Sequence, residues 1–88
     1  MMLIPVFTLD DGTEITASRP DEKGNITLYV EKIDKTQDSF ASVSVLLPGT
    51  RILSCNGYSP EDAQSMAEEF LQIQEDIIGY VKEKTNET

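Results

Sequence analysis

The side chains able to do chemistry in this sequence are few. There is no histidine, one cysteine (Cys55), and 16 aspartates and glutamates. Without histidine the chain lacks the commonest general base, the commonest metal ligand and the usual activator of a serine or cysteine nucleophile. Cys55 has no evident activator, and a lone cysteine near the end of a strand reads as a small buried hydrophobe. Zinc needs more Cys and His than are present, and neither Asp10-Asp11-Gly12 nor Asp34…Asp38 has the ligand spacing of a calcium loop. The glycines are scattered and form no phosphate-binding loop. The carboxylate pairs Glu68/Glu69 and Glu75/Asp76 fall on a solvated helix face instead of a cleft, which disfavours paired acid/base work. The expected activity is recognition without catalysis, metal or cofactor.

The charge distribution narrows the choice of partner. Formal net charge is −9. Between residues 52 and 81 the acids Glu61, Asp62, Glu68, Glu69, Glu75 and Asp76 meet no base at all. Such a field repels phosphate backbones and anionic lipids, so neither direct nucleic-acid binding nor membrane binding is expected. Five acids of that run, Glu61, Glu68, Glu69, Glu75 and Asp76, are a candidate docking face for a basic protein. A single cysteine allows no intramolecular disulfide, and no apolar run has the length of a membrane span. The apolar start, Met1–Phe7, lacks a basic n-region and reads as a strand. The expected compartment is the cytoplasm.

Those side chains must be held by a fold, and the turn signals indicate which. Asp10-Asp11-Gly12-Thr13 contains an Asp-Gly pair suited to a tight type I′ hairpin. Residues 20–25 and 34–38 form polar connections, Pro48-Gly49 fits a type II turn, and Asn56-Gly57 closes the region. Between the turns lie five strand patterns, over about residues 3–9, 14–19, 26–33, 39–47 and 50–55. Ile26, Leu28 and Val30 alternate with Thr27, Tyr29 and Glu31. Likewise Ala41, Val43, Val45 and Leu47 alternate with Phe40, Ser42 and Ser44, which marks a sheet with one buried face. Pro5 places the first strand at an edge or a bulge. Ser59-Pro60-Glu61-Asp62 then supplies a cap, an N1 proline and first-turn acids for a helix over about residues 60–83. The fold class is α+β: an antiparallel four- to five-stranded β-meander with one long C-terminal helix packed on it. It forms a single domain over residues 1–84, with residues 85–88 as a frayed tail.

At 100° per residue the apolar positions of the helix cover about half its circumference, more than the roughly 100° stripe of an ordinary surface helix. One flank holds Met66, Ile73 and Tyr80, the other Leu71 and Ile78. Gln74 falls near the centre of the arc, where its amide needs a partner. Gly79 sits mid-helix at about 1 kcal/mol relative to alanine.

One short passage resembles a known family. Leu47-Pro48-Gly49, followed by Ser54, Gly57, Ser59 and Glu61-Asp62-Ala63, is similar to the strand-to-helix passage of HicB-type antitoxins. There a Leu-Pro-Gly turn precedes a helix start and an acidic Glu-Glu-Ala. The likeness covers residues 47–63 only, and the two glycines stand further apart here. No strand pattern follows the helix as that family's fold requires, and the chain is not assigned to the family.

The sequence thus implies a protein-interaction module, homodimeric through Met66, Leu71, Ile73, Gln74, Ile78 and Tyr80, with Gln74 paired to its symmetry mate. The alternative is an acidic inhibitor or nucleic-acid mimic, of phage, antitoxin or anti-restriction type, that fills a basic groove of its partner. A third possibility is a ligand or peptide held on the Ser/Thr-rich open sheet face (Thr16, Ser18, Thr27, Ser42, Ser44) with Tyr29 and Phe40.

Overall fold

Alternating strands joined by short turns favour an antiparallel meander, and the computed structural model shows it. It describes residues 3–34 and 39–85. The expected connection at residues 35–38 and the last three residues of the expected tail lie outside that range. Five strands, β1 (Ile4–Thr8), β2 (Glu14–Ala17), β3 (Ile26–Asp34), β4 (Ser39–Leu47) and β5 (Arg51–Asn56), precede one helix, α1 (Pro60–Thr85). The sheet runs in the order β1-β2-β3-β4-β5 with every neighbour antiparallel. The fold is the expected α+β meander, with the helix two residues longer than its periodicity indicated.

Register follows the alternation. Ile26, Leu28 and Val30 lie opposite Leu47, Val45 and Val43. All six are buried, together with Ile15 and Ala17 of β2 and Ala63, Ala67, Phe70, Ile77 and Val81 of α1. Thr27, Tyr29 and Glu31 pair with Leu46, Ser44 and Ser42 on the opposite face. Both edge strands carry an irregularity that the sequence pattern does not show. In β1 the register slips between Pro5 and Phe7, around Val6. In β5 it slips so that Ser44 faces Ser54 and Val45 faces Ile52, leaving Leu53 as the extra residue. Such bulges twist an edge away from further pairing.

The first hairpin differs from expectation. A type I′ turn needs positive φ at both central residues, but Gly12 (φ 91°) is the residue of this turn with positive φ. The Gly12 N–H donates to the Leu9 carbonyl at 3.0 Å and the Leu9 N–H to the Thr13 carbonyl at 2.8 Å. This is a three-residue loop with glycine in the left-handed position, and the Asp11 carboxylate steadies it by accepting the Thr13 N–H at 3.0 Å. The loop between β2 and β3 repeats the device, Asp21 accepting from the N–H groups of Lys23 and Asn25. At Pro48-Gly49 glycine takes the expected positive φ (96°), Thr50 adds a second at 50°, and the Leu47-Pro48 peptide is cis.

The chain enters α1 through Gly57, whose close fit is a tertiary constraint. Its φ is 81°, and a Cβ there would stand 2.9 Å from both Cα and Cβ of Ala41. Ser59 caps the helix, its hydroxyl accepting the Asp62 N–H at 3.1 Å. A Cβ at Gly79 would meet nothing, so no close approach offsets that glycine's cost within the helix. Among the described residues no helix is long and apolar enough to cross a membrane.

Candidate functional site: the seam between the helix and the first strand

The half-circumference apolar arc is more than one sheet face can cover, and the structure shows which part is left over. Phe70, Ile77 and Val81 form the buried centre line of α1. The helix comes against β1 on one side and β4 and β5 on the other. Of the expected interaction residues, Met66 and Ile78 are half-buried and pack against the core. Ile73 (37%), Tyr80 (40%) and Leu71 (49%) are exposed. Leu71 lies on the far flank, whereas Ile73 and Tyr80 line cavities together with residues of β1.

Gln74 does not wait for a symmetry mate. It is half-buried, and its Oε1 accepts the Gly49 N–H at 2.9 Å. The apparent polar fault in the apolar arc is therefore a tie between α1 and the β4–β5 turn. Its partner is a turn amide 25 residues away, which helical periodicity cannot indicate.

Between α1 and β1 runs an open seam. One cavity of about 350 Å³ is lined by Phe7, Leu9, Met66, Phe70 and Ile73, among others, with Asp11, Lys32 and Glu69 at its margin. A second of about 310 Å³ continues it, lined by Val6, Phe7, Ile73, Asp76, Ile77 and Tyr80. Phe7 and Ile73 line both, so the two adjoin, and the seam is apolar along the helix. Phe7 (44%) and Leu9 (47%) are exposed on its β1 side. Sequence reasoning missed these two, because β1 is apolar on both faces and the bulge at Val6 decides which side chains turn toward the helix.

The structure divides the expected acidic face. All five acids are exposed, but Glu69 and Asp76 border the seam, while Glu61, Glu68 and Glu75 fall on a separate stripe further round the helix. Among the described residues the one ion pair is Lys32–Asp11, at 3.3 Å. Hydrogen bonds from the Thr13 side chain and then its backbone N–H, with Lys32 adding to them, hold the Asp11 carboxyl well below the usual 3.8, at about 2. A carboxylate with a lowered folded-state pKa contributes stability above its unfolded pKa and loses it as pH falls through the folded value. The wild type's advantage over Asp11→Ala in urea midpoint should therefore be constant above about pH 5 and shrink between about pH 4 and pH 2. An advantage unchanged at pH 2 would show that the charge is not what matters there.

Two other candidates resolve differently. Cys55 is exposed, contrary to expectation. It lies opposite Val43 on β5, the edge strand of the sheet, and its thiol donates to the Tyr58 carbonyl at 3.3 Å. The Ser/Thr-rich residues do gather on the sheet face away from α1. There Thr16, Tyr29, Ser44 and Ser54 form a row across four strands, and the Ser44 and Ser54 hydroxyls bond each other at 2.6 Å. The Thr16 hydroxyl in the same row is buried without a hydrogen-bond partner among the described residues, and the row lines neither of these cavities, whereas the seam is concave and apolar. Compared with protein-family models, with curated proteins and with solved structures, the chain matches none.

Proposed function

We propose that this protein is a non-catalytic interaction module that acts as a homodimer through the α1–β1 seam, in the cytoplasm that its single cysteine suits. One observation carries the reading: Phe7, Leu9, Ile73 and Tyr80, all large and all at least 37% exposed, line two adjoining cavities along the seam. Scattered exposed apolar residues are ordinary on any surface, whereas a contiguous set rimmed by charge marks an interaction site. Sedimentation at micromolar concentration is expected to return the dimer mass. Ile73→Asp places a charge in the seam and is expected to weaken association at least about tenfold. A wild-type chain that sediments as a clean monomer would remove the homodimer.

A second reading has its own support. Glu61, Glu68 and Glu75 form an exposed acidic stripe with no cationic partner among the described residues, as a mimic of nucleic acid or an inhibitor of a basic groove would need. In that case binding to a basic partner collapses between low and moderate salt. The double variant Glu68→Lys plus Glu75→Lys then abolishes it. Binding indifferent to both changes excludes the mimic.

A further inference from the structure

We propose that the second copy docks with its α1 antiparallel to the first, about a two-fold axis passing between Asp76 and Ile77. The inference rests on the homodimer reading above and supplies its geometry. Glu69, Ile73, Asp76, Tyr80 and Lys84 follow one another at spacings of four, three, four and four residues, which sets them in one stripe down the helix. Glu69, Ile73, Asp76 and Tyr80 all border the seam, and the Lys84 ammonium lies 5.6 Å from the centre of the Tyr80 ring. Reversed, the stripe complements itself. Antiparallel pairing sets each Ile73 beside the other copy's Tyr80 and each Glu69 beside the other copy's Lys84.

The charges at the two ends of the seam agree with this direction. At one end stands Glu69, where the nearby Lys32 is already engaged by Asp11. At the other end Arg19 and Lys84 border a cavity of about 240 Å³ with Leu3 and Pro5. A parallel copy would bring like charges together at both ends. A uniformly basic partner would suit Glu69 and Asp76 but meet Arg19 and Lys84. An antiparallel copy alone brings unlike charges together at both ends, and it also opposes the two helix dipoles favourably. The arrangement has one cost, since the two Asp76 carboxylates approach each other near the axis.

A charge-swap experiment on the full chain tests the register. Glu69→Lys and Lys84→Glu each replace two attractions by two repulsions in a symmetric dimer, so each alone is expected to weaken association about tenfold by sedimentation. Both positions are exposed on the helix, and circular dichroism melts of the variants check that folding is kept. Mixing the two variants in equal amounts regenerates both attractive pairs, and association is expected to return to near the wild-type value. If the mixture is no tighter than either variant while the wild type is dimeric, the antiparallel register is wrong and the homodimer stands. A monomeric wild type overturns both. A monomer that binds an amphipathic Leu/Lys peptide, with Ile73→Asp abolishing that binding, assigns the seam to a basic partner instead.

Discussion

Replacing Gly57 by alanine is expected to destabilise the protein by about 3 kcal/mol, from a positive-φ penalty of about 1–2 kcal/mol and the cost of forcing apart packed groups. The new methyl would meet Ala41 Cα and Cβ at 2.9 Å and the Phe40 carbonyl oxygen at 3.0 Å. Most of these neighbours are backbone or fixed to it, so no flexible side chain end can move aside. For a domain of this size such a loss lowers the melting temperature by roughly 15 °C. Gly12→Ala is the control. Its φ of 91° is just as unfavourable, but nothing lies within 4 Å of the added carbon, so only the conformational part, about 1–2 kcal/mol, is expected. Equal losses at the two glycines would show that the approach to Ala41 is not tight in solution.

The second large effect is expected where two neighbouring residues of one apolar arc part company. Phe70 is 6% exposed and Leu71 is 49% exposed. Phe70→Ala empties a ring's volume from between α1 and the sheet and is expected to cost about 3–5 kcal/mol, the range for buried aromatics. Leu71→Ala removes a side chain already half in water and is expected to cost under about 1 kcal/mol. Chemical denaturation of the two variants compares them directly. A Leu71→Ala loss as large as that of Phe70→Ala would mean that the far flank of the helix is covered in solution.

The contrast between those residues shows what could be read from sequence. Helical spacing places Phe70 and Leu71 on the same broad arc, because it reports direction from the helix axis and carries no information about how far a sheet reaches round it. The strands were legible where alternation was clean, as along Ile26–Val30 and Val43–Leu47. They were less legible at the edges, where the extra residues Val6 and Leu53 leave the local pattern unchanged and reveal themselves only against a partner strand. The candidate site was half legible for the same reason. Ile73 and Tyr80 stood out on the helix, but Phe7 and Leu9 became part of the site only once β1 lay beside them. Gln74 looked like a defect because its partner, the Gly49 amide, belongs to a turn distant in sequence. Gly57 gave no sign beyond its place in an Asn-Gly turn, since the crowding comes from Ala41.

The meander order also has a kinetic meaning. Each strand pairs only with its neighbour in the chain, so the sheet can assemble hairpin by hairpin, each step closing a short loop at small entropic cost. The seam is the exception. Phe7 and Ile73 line the same cavity from well-separated parts of the sequence, a far longer closure than any hairpin of the sheet. Closing it costs more chain entropy than closing a hairpin, so the seam is expected to form after the hairpins and to open before them, which hydrogen exchange of the β1 amides against those of β3 and β4 would show. The candidate surface along that line draws on residues far apart in the sequence, and its shape exists only once everything between them has folded.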